Sequence, residues 1–385
     1  MRSKLDQLLQ ELCPEGVEFR SLEGVAKIKN GKGYTHLSDG KYPVYGSGGV
    51  MTYVNDYVYN APTVLIPRKG SLNNLFYVDV PFWNVDTIFY TIVDESLMCP
   101  KFLFYVLQKK RLERLNKAGG VPSLTQTILN ELQLPIPPLE VQEEIVRILD
   151  KFTELTAELT AELTARKTQY EWYRDHLLEE CAEGAEYKKL GTFATISRGG
   201  GLQKKDFQES GYPCIHYGQI HTKYGISTED TISFISQEKF RREKKAKQGD
   251  VILAITSETV DDVCKAVAWL GDGHVAVGGH TAIIHHSQNP KFLSYYFNSS
   301  VFTPQKRKLA HGEKVTEVTP NDLLDIVVPL PPIEVQEEVV RKLDKFSQLV
   351  DSITEGLPAE IEVRQKQYEY YRDKLLTFKP LKKHE

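Results

Sequence analysis

At 385 residues, 41% of them hydrophobic and 26% charged, the chain holds enough apolar material for two ordinary globular domains. A net charge of −4 excludes a uniformly basic surface, so any contact with nucleic acid must come from local patches. No run approaches the roughly 18 apolar residues of a membrane span, and the first residues lack the apolar core of a signal peptide, so a cytoplasmic location is expected.

In chain order, Cys13-Pro-Glu-Gly-Val-Glu-Phe-Arg-Ser-Leu22 opens a stretch, residues 14–130, that alternates short β-like runs with turns and finishes helical. Tyr45-Gly-Ser-Gly-Gly49 lacks the strand–turn–helix setting of a dinucleotide fingerprint and is expected to be a turn. Thr63-Val-Leu-Ile66 has the form of a buried strand, Pro100-Lys-Phe-Leu-Phe-Tyr105 that of a helix start, and Gly119-Gly-Val-Pro-Ser123 that of a tight loop. From Pro137-Pro138 a long helix is predicted. Proline suits a first turn, Glu140, Glu143 and Glu144 suit the positive end of the dipole, and Ile145, Leu149, Phe152, Leu155, Leu159 and Leu163 form an apolar seam. Within it, Thr-Glu-Leu/Thr-Ala units repeat every four residues from Thr153 to Ala165, each adding about 6 Å of helix.

The second half repeats this order. Cys181-Ala-Glu-Gly-Ala-Glu-Tyr-Lys-Lys-Leu190 resembles residues 13–22, and Ile196 and Gly199 match Ile28 and Gly31. Val251-Ile-Leu-Ala-Ile255 and Ala282-Ile-Ile-His-His286 have the form of strands, and Pro290-Lys-Phe-Leu-Ser-Tyr295 that of a helix start. Residues 329–346 match residues 135–152 at 14 of 18 positions, and Gln367-Tyr-Glu-Tyr-Tyr-Arg-Asp-Lys-Leu-Leu376 matches Gln169-Tyr-Glu-Trp-Tyr-Arg-Asp-His-Leu-Leu178. The second seam runs Val339, Leu343, Phe346, Val350, Ile353, Leu357, but Gly356-Leu-Pro358 is expected to kink or restart the helix.

The order is therefore module, helix, module, helix, with the last helix feeding back towards the first residues. Pseudo-two-fold symmetry, chain ends close together and two apolar seams packed on each other are expected. The helices repeat almost intact whereas the α+β modules diverge, which implies one scaffold serving two different recognition tasks.

The Leu-Pro-x-Pro-Pro-Leu-Glu-x-Gln-Glu entry to a long helix, the Gln-Tyr-Glu-x-Tyr-Arg-Asp exit, the Thr-Ala-Glu-Leu repeats and the circular duplication together resemble the specificity subunit of type I restriction–modification systems. The resemblance spans essentially the whole chain. It implies an α+β fold with two target recognition domains, residues 1–134 and 182–328, and two helical spacers, residues 135–181 and 329–385, paired as an antiparallel coiled coil. It also implies that each domain reads half of a bipartite, asymmetric double-stranded DNA site and that the helices set the gap and dock two methyltransferase subunits. Those subunits would hold S-adenosylmethionine, motor-nuclease subunits would complete the assembly, and this chain would bind no cofactor and catalyse nothing.

Phosphate contact calls for Lys and Arg, and base reading for polar side chains at groove depth. In the first module the candidates are Lys27, Lys29, Lys32, Arg68, Lys69, Asn73, Asn74, Gly120 and Ser123. In the second they are Arg198, Lys204, Lys205, Tyr217, Gln219, His221, Ser257, His280, Lys306, Lys308 and Lys314, with the dense run Arg241, Arg242, Lys244 and Lys245. For the methyltransferase partners the duplicated helix residues are the candidates: Gln142, Glu143, Arg147, Tyr170, Tyr173 and Arg174, with Gln336, Glu337, Arg341, Tyr368, Tyr371 and Arg372. The same aromatic and Arg–Asp positions equally suit a role in holding the coiled coil together.

Catalytic signals are missing from the sequence. Asn60-Ala-Pro-Thr63 is not the Asn/Asp-Pro-Pro-aromatic loop of a DNA methyltransferase, and no nucleotide-binding glycine–lysine motif occurs. His280, His285 and His286 lie near His274, but the alternation there favours a strand over a metal site, and the five cysteines, Cys13, Cys99, Cys181, Cys214 and Cys264, are too far apart for zinc or a disulfide framework. Two other readings remain open at this level: a coiled-coil adaptor that binds only proteins, and a specificity subunit of a restriction–modification enzyme outside type I.

Overall fold

A computed structural model describes residues 3–116, 122–312 and 315–381, with the side chains of all but residues 350–356. The chain divides into two compact units: residues up to Ala161 together with those from Leu357 onward, and Glu162–Gly356. Each unit thus takes one module and part of both long helices. The compact units differ from a division at residues 134, 181 and 328, because the helices belong to the cores on which they lie.

In the first unit, strand Glu18–Ser21 leads into the module and pairs antiparallel with Gln133–Ile136, which leads out. Between them lies a four-stranded sheet in the order Ala26–Asn30, Ile88–Val93, Thr63–Pro67, Phe76–Val78. A hairpin, Asp39–Gly46 and Gly49–Val54, is extended by Trp83–Asn84. Thr63–Pro67 is buried throughout because both its faces are covered. Val64 and Ile66 face helix Pro100–Lys110 with Phe102, Leu103 and Val106, whereas Leu65 packs with Phe82, Ile88 and Tyr90 on the other side. Each such aliphatic side chain contributes about 1.5–3 kcal/mol on burial.

The second unit repeats the plan. Glu186–Lys189 pairs with Val327–Leu330, and a five-stranded sheet runs Thr195–Arg198, Thr281–His285, Val251–Ala254, Lys265–Trp269, Ser227–Thr228. Val251 and Leu253 face helix Pro290–Phe297, while Ile252 and Ala254 face a core containing Val267, Val277 and Ile283. All five cysteines are free thiols, Cys214 and Cys264 buried and the others half-buried. Among the described residues no helix is long and apolar enough to cross a membrane.

The long helices are Leu139–Ala182, 44 residues, and Ile333–Leu375, 43 residues, about 65 Å each at 1.5 Å per residue. Within the first unit Val141, Ile145 and Leu149 of one helix share a core with Leu375 and Leu376 at the end of the other, and Phe152 stacks on Tyr371 with ring centres 5.4 Å apart. Moving forward along one helix moves backward along the other, so the segments are antiparallel. The second unit has the mirror arrangement: Val339 and Leu343 pack near Leu177 and Leu178, and Phe346 stacks on Tyr173 at 4.7 Å. The expected restart at Pro358 does not occur, and the second helix passes through it as one element. Proline removes one helical hydrogen bond and crowds the preceding turn, at about 3 kcal/mol, and the helix is nonetheless continuous through it. The seam positions Val350 and Ile353 lie outside the described side chains.

The predicted return of the chain on itself is present within the first unit. The Val17 amide donates to the Lys379 carbonyl at 2.9 Å, and the Leu381 amide to the Val17 carbonyl at 2.9 Å. Gly16, at φ +105°, makes room for this pairing: a Cβ there would sit 2.5 Å from the Lys379 carbonyl oxygen.

Candidate nucleic-acid interface and partner surface

Strand register gathers the first module's candidates at one end of its sheet. Asn30 pairs with Phe89 and Pro67 with Ile88, so the last residue of two strands and the first of the third lie together. Four loops continue from that edge. Lys32 donates its amide to the Asn84 carbonyl at 2.8 Å, and the amides of Arg68 and Lys69 point to the Thr87 carbonyl at 2.9 and 3.3 Å. Asn74 donates its side-chain amide to the Ser47 carbonyl at 3.3 Å, which joins the 71–75 loop to the hairpin turn. Lys69 bridges Ser123, and Leu124 donates to the Arg68 carbonyl at 2.9 Å. Lys29, Lys32, Lys69, Asn73 and Asn74 thus rim one polar platform, with Lys27 further back on the strand of Lys29. The Arg68 guanidinium is placed over the Phe89 ring, 5.8 Å from its centre, which leaves its edge available. Gly120 lies outside the described residues.

The second module builds the same end from different side chains. Arg198 pairs with Ala282, Ala254 with Thr281, and Ala254 with Lys265. Ser257 and Thr316 pair as the Lys69–Ser123 bridge does in the first module. Over this edge lies an aromatic and imidazole cluster: Tyr217 is 4.9 Å from His280 and 4.6 Å from His216 by ring centres, and His221 meets the Thr256 carbonyl at 3.3 Å. Burial, then nearby positive charge, lowers the His216 pKa; burial likewise lowers that of His221. His216 and His221 are therefore neutral at neutral pH and present hydrogen-bonding edges without charge. Exposed Lys204 and Lys205 occupy the adjoining turn, and Lys244 lies beside Gly200 in the turn after Arg198.

Other sequence candidates are engaged internally. Gln219 accepts from the His216 amide at 3.0 Å and donates to the Ser233 hydroxyl at 2.6 Å, which fixes the local turn. Lys306 is buried and its ammonium holds the Asp261 carbonyl, correcting its assignment as a phosphate contact. Arg242 pairs with Glu238 at 2.7 Å, and Lys245 donates to the carbonyls of Arg241 and Glu243, leaving Arg241 and Lys244 as the open positions of that run. Lys308 is exposed, with no bond or ring contact to the cluster; Lys314 lies outside the described residues.

The helix candidates also separate into two groups. Gln142 is fully buried: its side chain accepts from the Cys99 amide at 2.8 Å and donates to the carbonyls of Leu97 and Pro137, both at 2.8 Å. Gln336 does the same in the second unit with the Asn289 amide, the Gln288 side chain and the Pro331 carbonyl. Asp150 accepts from Lys101 and Tyr105, and Asp344 from Lys291 and Tyr295. This part of the duplicated block locks each module onto its own helix, so Gln142 and Gln336 are corrected from partner contacts to internal clamps. Tyr173 and Tyr371 form the interhelical stacks. Tyr368 donates to Gln108 at 2.7 Å, and half-buried Tyr170 lies against Tyr295. Arg174 and Arg372 are tucked against Asp175 and Asp373.

The exposed remainder comprises Glu143, Arg147, Glu337 and Arg341. Arg147 and, more weakly, Lys4 hold the buried Glu144 carboxyl down to about 2. Two residues escaped the sequence reading: Trp172 is 58% exposed and Tyr370 62%. They occupy the same variable position of the repeated Gln-Tyr-Glu-x-Tyr-Arg-Asp motif, a signal hidden because aromatic residues at helical spacing ordinarily enter a core.

The sequence profile described as the type I restriction modification DNA specificity domain matches residues 14–166 and again 182–363. A putative type I restriction enzyme specificity subunit of Haemophilus influenzae is 29% identical over 98% of this chain and 99% of that one. The EcoR124I/EcoR124II specificity subunit of Escherichia coli is 34% identical over 75% of this chain and 73% of its own. The fold is similar to that of the S subunit of a type I system from M. genitalium, with a TM-score of 0.54 at 15% identity, covering 94% of this chain and 96% of that one. It is also similar to a chain from a structure on type I restriction–modification complex assembly and conformational transition, with a TM-score of 0.56 at 17% identity, covering 94% and 98%. With both modules and the greater part of both helices inside the two matches, the chain belongs to the specificity subunits of type I restriction–modification enzymes.

Proposed function

We propose that the two modules read the two halves of a bipartite, asymmetric double-stranded DNA site, and that the helices carry two methyltransferase subunits holding S-adenosylmethionine. The observation that carries this reading is the matched sheet end: one backbone framework occurs twice, with Arg68, Lys69, Asn73 and Asn74 on the first copy and Arg198, Tyr217, His221, Ser257 and His280 on the second. Equal frameworks with unequal side chains suit unequal half-sites. Lysines around each edge suit phosphate, and the polar and aromatic groups between them suit base edges.

The chain itself acts by positioning in the cytoplasm, and the methyl transfer and the motor-nuclease work belong to its partners. The partner face is assigned to Glu143, Arg147 and Trp172 with Glu337, Arg341 and Tyr370, because one exposed pattern present twice suits two copies of one partner. Methylome sequencing of cells carrying this chain with its cognate methyltransferase tests the reading. A split, asymmetric adenine-methylation motif is expected. Methylation without a motif, or none at all, refutes it and favours a protein-binding adaptor.

A further inference from the structure

The two modules agree in register to the residue at one place. In the first, Asn30 pairs with Phe89, the Lys32 amide donates to the Asn84 carbonyl, and a Cβ on Gly31 would lie 2.0 Å from the Val85 carbonyl oxygen. In the second, Arg198 pairs with Ala282, the Gly200 amide donates to the Val277 carbonyl, and a Cβ on Gly199 would lie 2.1 Å from the Gly278 carbonyl oxygen. Each glycine presses the chain flat against the neighbouring turn. The residue before it is therefore delivered to the same spot on both sheet ends.

That residue is braced in both modules by the segment next to the module's last short helix. The Arg198 Nε donates to the Gly279 carbonyl at 2.9 Å, and its Nη2 to the Glu317 carboxylate at 2.7 Å. These bonds occupy the side edge of the guanidinium. They leave the end edge, with one hydrogen on each of Nη1 and Nη2, facing away from the brace, and the side chain is 49% exposed. Two parallel donors at the end of an arginine match the O6 and N7 acceptors of guanine in the major groove. In the first module the Asn30 side-chain oxygen accepts from the Gln126 amide at 3.2 Å. This sets which side of the Asn30 amide donates and which accepts, the pattern that matches N7 and the exocyclic amine of adenine.

We infer that Arg198, braced by Glu317, reads a guanine in the half-site of the second module, and that Asn30, braced by Gln126, reads an adenine at the corresponding place in the other half-site. The inference rests on the proposed DNA-reading function and adds to it the base class and the residue. Arg198 and Asn30 would touch the base, whereas Glu317 and Gln126 are positioning residues.

The test uses the full chain assembled with its methyltransferase subunits. Methylome mapping of Arg198→Ala is expected to relax one G·C position in one half-site, and Asn30→Ala one A·T position in the other, with every other position kept. Discrimination at each should fall by roughly 5- to 150-fold. Glu317→Gln should keep the guanine preference with reduced discrimination, because a neutral amide still braces the arginine. For the unaltered complex, each guanine of the mapped half-sites is replaced in turn by 7-deazaguanine, which lacks only the N7 acceptor. One guanine should weaken binding for the unaltered chain and have no effect for Arg198→Met, which keeps the side-chain stem but has no donor for N7.

A split motif whose half-sites are unchanged by Arg198→Ala overturns the inference and leaves the proposed function standing. If Arg198→Ala abolishes methylation altogether, the 7-deazaguanine series on the unaltered complex decides, and no N7-sensitive guanine overturns it. No split motif from the unaltered chain overturns both.

Discussion

Replacing Gln142 by alanine separates two roles for the duplicated helix block. The buried side chain makes three hydrogen bonds, and its loss leaves the Cys99 amide and the Leu97 and Pro137 carbonyls without that partner. At about 1 kcal/mol for each group, with about 1 kcal/mol more for the small cavity, the first unit should lose about 3–4 kcal/mol. Hydrogen exchange read by mass spectrometry reports this locally. Protection of strand Thr63–Pro67 should fall by more than a hundred-fold at 3 kcal/mol, while Val251–Ala254 in the second unit is little changed. Gln336→Ala should give the reverse. If Gln142→Ala leaves protection intact and instead abolishes methyltransferase binding, the clamp reasoning is wrong and the residue faces a partner.

Three further outcomes follow from particular contacts. Gly16→Ala should release residues 379–381, seen as faster exchange at the Val17 and Leu381 amides, because its Cβ meets the Lys379 carbonyl; Gly184→Ala, with open space around it, should show only the conformational cost of about 1–2 kcal/mol. Burial lowers His286 from 6.5 to about 4, so the unfolded chain takes up the proton first. Its contribution is intact above about pH 6.5 and drains as the pH falls towards 4, costing the second unit about 3 kcal/mol, and His286→Gln should flatten that part of the pH profile in urea titrations. Deleting Thr156–Leu159 removes about 6 Å of the first long helix and should shorten the spacer in the methylated motif with both half-sites unchanged; an unaltered spacer refutes the idea that helix length sets the gap.

The sequence made the architecture legible because duplication provides its own alignment. Pairing residues 135–152 with 329–346 located both helix starts, and the match of Cys13 with Cys181 foretold that the ends meet. The sites were legible only as regions. Arg68, Lys69 and Ser123, candidates from separate strings, meet in one neighbourhood only in the fold, and nothing local distinguishes exposed Lys204 from buried Lys306, since both stand in polar, lysine-rich strings. The difference lies in Asp261, 45 residues away, whose carbonyl captures one ammonium. Gln142 and Gln336 misled for a related reason. A glutamine repeated intact on a helix reads as surface chemistry, but two of its three partners lie at the start of a helix in another part of the chain, and periodicity carries no record of them. Pro358 shows the opposite limit: a local helix breaker stands inside a continuous helix.

The meeting of residues 16–18 with residues 379–381 also bears on the order in which the protein is made. The second unit is contiguous in sequence, so it can close as soon as it has emerged from the ribosome. The first unit cannot. Its core contains Leu376, with Leu375, Phe378 and Tyr368 packed around it, and these follow the whole second unit in the sequence. The first module therefore waits, with Ile145 and Leu149 uncovered, until translation has passed Phe378. A ribosome that stops between codons 357 and 376 would release a protein with one reader complete and the other lacking a wall of its core.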